Sequence, residues 1–145
     1  MNRNQGYKQK VQIDYYKITP DDYFVDKDTV RENLFSVDAD KVAESFKDGM
    51  RSSQVRKFYD EILKRKMIIE LAEDKKKAFI RQLPYIKMII SKATYGNSRK
   101  PKTVSNNFKR FLEDNIKNIK EYEEFKVFCD FFESVVAYSK QYLGE

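Results

Sequence analysis

The sequence predicts an all-α protein: a compact bundle of about five helices with a less regular N-terminal arm. Two observations point there. Apolar residues recur at helical spacing from Val37 onward. No alternating β-branched strand and no hairpin dipeptide interrupts them, so short links between amphipathic helices leave a bundle as the economical solution. At 145 residues one core is expected, removing roughly 68 to 70% of the unfolded chain's surface from water without disulfides or metals.

Residues 1–36 form the arm and 37–145 the helical domain in this reading. The arm carries Tyr7, Tyr15, Tyr16, Tyr23, Phe24 and Phe35 without sustained periodicity, and these rings are expected either to dock on the body or to wait for a partner. Within it, Thr19-Pro20-Asp21-Asp22 has a capping hydroxyl, a proline at the first helical position and acids at the positive end of the dipole, which predicts a short helix. Asp38 is expected to cap a helix to about Asp48, with Val37 and Val42 as a hydrophobic staple and Gly49 ending it. Ser52 or Ser53 is expected to cap the next, where Val55, Phe58, Tyr59, Ile62 and Ile69 share a face.

A third helix is expected from about Asp74 to Thr94 on the Phe79, Leu83, Ile86, Ile90 repeat. Pro84 should kink it or divide it in two. Gly96-Asn97-Ser98 to Pro101 reads as a loop, and a fourth helix begins near Thr103 with Val104, Phe108, Phe111, Leu112 and Ile119 as its buried stripe. The last helix buries Tyr122, Phe125, Cys129, Phe132, Val136 and Leu143. Cys129 reads as a small buried hydrophobe.

Composition narrows the chemistry. A single cysteine fits a reducing compartment and no disulfide framework, and the absence of histidine removes triads, HExxH zincins and most transition-metal sites. No GxGxxG or GxxxxGK[ST] occurs, no cofactor is implied, and the acids at Asp22, Asp38 and Glu121 are explained by helix starts. A histidine-free carboxylate enzyme has no positive support. No run approaches 18 apolar residues, so the chain reads as soluble and cytoplasmic, without a membrane partner.

The charge is segregated. The net +6 divides into −2 for residues 1–50, +12 for 51–110 and −4 for 111–145. Such concentration of one sign suits a polyanion-binding face. On the second helix Ser53, Arg56, Lys57 and Lys64 fall on one quadrant, diluted only by Asp60, and suit phosphate oxygens near a helix N-terminus. On the third, Lys77, Arg81 and Lys92 are expected opposite the Phe79, Leu83, Ile86 and Ile90 stripe with Tyr85 and Met88 among them, the mixture of cation and ring that binds single strands. The loop adds Arg99, Lys100 and Lys102 beside Tyr95.

Three blocks resemble the small subunit of type III-A CRISPR (Csm) effector complexes. They are Ser52-Ser53-Gln54-Val55-Arg56-Lys57-Phe58-Tyr59; Ala93, Tyr95, Gly96 and Arg99; and Phe125-Lys126-Val127-Phe128-Cys129-Asp130-Phe131-Phe132-Glu133-Ser134-Val135-Val136-Ala137-Tyr138. The resemblance implies a non-catalytic helical RNA-binding subunit of an antiviral ribonucleoprotein, stacked with copies of itself beside backbone and large subunits, its basic face toward guide RNA and target single-stranded RNA. The residues expected to serve RNA are Ser53, Gln54, Arg56, Lys57, Lys64, Lys92, Arg99, Lys100 and Lys102, reading backbone and not sequence. The competing expectation is a helical adaptor whose basic face meets an acidic protein.

Overall fold

In the computed structural model, which describes residues 13–145, the chain makes five helices: α1 Ala39–Glu44, α2 Ser52–Glu70, α3 Lys75–Ser98, α4 Asn106–Ile116 and α5 Tyr122–Ser139. Two of them start on side-chain caps. Asp74 accepts the Lys77 backbone N–H at 3.0 Å, and the Ser105 hydroxyl accepts that of Phe108 at 3.1 Å. α2 and α3 form an antiparallel hairpin. α1 and α2 pack on α5, and α4 packs on α3.

The aromatic residues of α4 and α5 make the centre of the core. Phe111 has the rings of Phe46, Phe108, Phe128, Phe131 and Phe132 within 6.0 Å, centroid to centroid, mostly edge-on or tilted as ring quadrupoles prefer. Cys129 is buried beside them, and burial pushes its thiol well up, so it stays protonated and inert.

The segment before α1 contributes to that core. Ile18, Tyr23 and Leu34 are buried, and the Tyr23 hydroxyl donates to Asn115 Oδ1 at 2.6 Å while its ring stands edge-on to Phe131. Asn107 binds three distant places: its side-chain amide donates to the carbonyls of Ile13 and Ser45, and its backbone N–H to Asp48. Tyr7 lies outside the described residues. The short helix expected after Thr19 is a single 3-10 turn, Pro20–Asp22, with the Asp22 carboxylate accepting the Thr19 N–H at 2.9 Å.

Several local expectations are corrected. A small antiparallel hairpin is present, β1 Phe24–Asp26 against β2 Thr29–Val30; its turn uses the Asp26 carboxylate, which accepts the N–H groups of Asp28 and Thr29 in place of a glycine dipeptide. Asp38 does not cap. A wide turn over Leu34–Asp38 already carries the chain into α1, so Asp38 sits at φ −67°, ψ −43° with its carboxylate turned to Arg31 at 2.7 Å and to the Tyr16 hydroxyl at 2.8 Å. Val37 is 47% exposed and is no staple for the buried Val42. Gly49 does end this stretch, at φ +121°, where a side chain would be strained.

Neither Ser52 nor Ser53 caps α2. Residue 51 holds the cap position, and residues near the end of the chain supply the partners: the Ser52 N–H donates to the Gly144 carbonyl at 2.7 Å and the Ser53 hydroxyl to the Glu145 carbonyl at 3.1 Å. α3 runs unbroken through Pro84. The carbonyl freed by the ring belongs to the exposed Ile80, where water can satisfy it. It also continues to Ser98, so Gly96 lies in its last turn and not in the loop. A Cβ on Gly96 would stand 2.6 Å from Val104 Cγ2, because the returning chain packs directly on the helix.

Candidate nucleic-acid interface

Between Asp74 and Glu113 the chain has eleven Lys and Arg and no acid. Of those eleven, Lys92 alone makes an ion pair among the described residues, to Glu61 of α2 at 3.3 Å. The core expected for α3 is also rotated. Ala78, Phe79, Ile86, Ile89, Ala93 and Gly96 are buried, whereas Leu83 and Ile90 are half-buried, so the cationic stripe lies beside the core face rather than opposite it. That places it along the open groove that α3 makes with α2.

The expected site residues fall into four places. Gln54, Lys57 and Lys92 line one cleft between α2 and α3, with Phe58 and Glu61. Ser53 and Arg56 lie round the helix, beside Ser139, Lys140 and Glu145. Lys64 flanks a depression made by Leu63, Met67, Ile68 and Leu71. Arg99, Lys100 and Lys102 are exposed on the loop after α3. Consecutive residues of a helix point about 100° apart, so Arg56 and Lys57 occupy the two flanks of their quadrant and meet different neighbours.

The loop is held in place. The Thr103 N–H donates to the Gly96 carbonyl, the Asn97 side-chain amide donates to Val104 O and Asn106 Oδ1, and Lys102 Nζ donates to the same Asn106 oxygen at 3.0 Å. Arg99 lies over the Tyr95 ring at 5.8 Å. These bonds fix the loop's cations at the end of the α2–α3 groove without neutralising them. The small-aromatic-Gly-Arg block thus has a physical basis here, in which Gly96 permits the close approach of the returning chain and Tyr95 seats the guanidinium.

The family model described as Csm2 Type III-A matches residues 29–145. The chain belongs to this family. Csm2 is the small subunit of the type III-A CRISPR Csm complex, and the match extends beyond the three sequence blocks on both sides, taking in β2, α1 and the residues that meet Ser52 and Ser53. Comparison with curated proteins and with solved structures returns no match. No helix among the described residues is long and apolar enough to cross a membrane.

Sequence reasoning missed two members of this Csm2 surface. Arg65 reaches from α2 to α3, donating to Gln82 Oε1 at 3.0 Å and lying 5.2 Å from the Tyr85 ring centroid. Glu61 is the one carboxylate in the cleft and competes there for Lys92. Both were legible only as neighbours across a hairpin, since neither belongs to the quadrant that holds Arg56 and Lys57. Among the described residues no group of three or more Cys, Asp or Glu is placed to hold a metal.

Proposed function

We propose that this Csm2 chain is the non-catalytic, RNA-binding subunit of its effector, a cytoplasmic protein that stacks with copies of itself along the complex and contacts the backbone of guide and target RNA. The observation that carries the reading is the acid-free stretch between Asp74 and Glu113: of its eleven cations only Lys92 is ion-paired among the described residues, and Lys92 lines the α2–α3 cleft while Arg99, Lys100 and Lys102 lie exposed on the loop after α3. Cations intended only for solubility would be mixed with acids. Phosphate contact falls to Gln54, Lys57 and Lys92 in the cleft and to Arg99, Lys100 and Lys102 on the loop, with Ser53, Arg56 and Lys64 as outlying contacts. Pairing with the guide supplies sequence choice.

The test is binding of labelled single-stranded RNA by the full chain across a salt series. With about five phosphates neutralised, log K should fall against log salt with a slope of about −3.5. Reversing Lys57 to Glu should weaken binding more than reversing Arg56, with helical content unchanged in both. Salt-independent or absent binding, with capture of an acidic protein instead, would favour the adaptor.

A further inference from the structure

At about 100° per residue, Arg81, Tyr85, Met88, Lys92 and Tyr95 fall within a sector about 80° wide on α3, and Arg99 follows just past its C-terminal end. All six are exposed. Tyr85 is 49% exposed, Met88 45% and Tyr95 69%, so these are not core residues with an edge showing. Isolated surface rings need no explanation, but two rings and a thioether alternating with three cations, on a helix without a carboxylate, form a continuous surface of one character.

Each tyrosine is also paired with an arginine. The Arg65 guanidinium lies 5.2 Å from the centroid of Tyr85, and that of Arg99 lies 5.8 Å from the centroid of Tyr95. A guanidinium over one face of a ring holds that ring in place and leaves its other face to a partner. The partner must be flat and apolar on its face and must carry negative charge at its edge. Lys92, on α3 between the two tyrosines, lines the α2–α3 cleft with its ammonium 3.3 Å from Glu61. An acidic peptide would satisfy the cations and leave both ring faces idle. A duplex would satisfy the cations too, but its bases are stacked on one another. Unpaired nucleotides satisfy both.

We infer that the Tyr85–Arg65 and Tyr95–Arg99 pairs are two base-stacking platforms, about 15 Å apart along α3, which hold unpaired RNA bases while the neighbouring cations hold the phosphates. This inference rests on the RNA-binding reading above and adds to it a preference for single strands over duplex, independent of sequence, since every base has a π face.

The experiment compares a labelled twelve-nucleotide oligouridine with an abasic ribose-phosphate strand of equal length, each titrated with the full chain at low salt and across a salt series. The abasic strand keeps the phosphates and loses the bases. The native protein should bind the oligouridine several-fold more tightly. Tyr85→Ala and Tyr95→Ala should each reduce oligouridine affinity by about five- to tenfold and be restored by Tyr→Phe, and Tyr85→Ala, whose guanidinium partner is not among the phosphate contacts, should leave the abasic strand's affinity and the salt slope unchanged. A 2-aminopurine in the strand should be quenched by the native protein and not by the double alanine variant. Equal affinity for the two strands would overturn the platforms while leaving backbone binding intact. Binding of neither strand would remove both readings.

Discussion

Two helices of this molecule carry aromatic residues at helical spacing and use them in opposite ways. α5 has Tyr122, Phe125, Phe128, Phe131 and Phe132, all buried, with four acids and one lysine on its outer side. α3 has Tyr85 and Tyr95 in water, each beside a guanidinium, on a helix that buries mainly small and aliphatic residues. Periodicity alone does not distinguish the two. What distinguishes them is the polar tip of tyrosine, which tolerates water where phenylalanine does not, and the sign of the surrounding charge.

The largest effect expected from breaking this contrast is on stability. Phe111→Ala removes the ring on which five others converge and should cost about 3–5 kcal/mol in chemical denaturation. Tyr95→Ala, the same kind of truncation on α3, should stay within about 0.5 kcal/mol. A comparable loss at both positions would mean that the α3 rings are structural after all. An intermediate effect is expected at the seam where α3 meets the loop. Gly96→Ala gains up to about 1 kcal/mol of helix propensity but forces the buried Val104 aside, and a net loss of about 1–2 kcal/mol should appear in thermal melts, together with weaker RNA binding as Arg99, Lys100 and Lys102 shift.

The smallest effect sharpens the electrostatic side. Glu61→Gln removes the only acid paired to an α3 cation among the described residues and frees Lys92. An exposed pair of this kind is worth about 0.5–1 kcal/mol, so RNA affinity should rise by about two- to fivefold, with little change in melting temperature. A fall in affinity would show that Glu61 positions Lys92 instead of competing for it.

The helices were legible where residues act within one helix. Asp74 caps as its position predicts, and Phe108, Phe111 and Leu112 lie on the buried face that their spacing marks. Legibility failed where a partner comes from far along the chain. Ser52 and Ser53 look like caps, yet the Gly144 carbonyl takes the Ser52 N–H from 92 positions away, and the Ser53 hydroxyl donates to the Glu145 carbonyl instead of accepting from the helix. Asp38 looks like a cap too, until Arg31 and Tyr16 claim its carboxylate. The nine expected contact residues meet the same limit. The sequence places them on helix faces, but only the packing of α2 against α3 decides that Lys57 joins Lys92 while Arg56 turns toward Lys140.

The buried side chain of Asn107 has a bearing on biogenesis. It ties Ile13 and Ser45 to α4, and the backbone N–H of the same residue ties Asp48, across separations of 94, 62 and 59 residues. A nascent chain leaving the ribosome therefore exposes its first third before the residue that will anchor it has been made. The early segment must wait, with Ile18, Tyr23 and Leu34 in water, until α4 and α5 emerge, so the final topology closes late in translation.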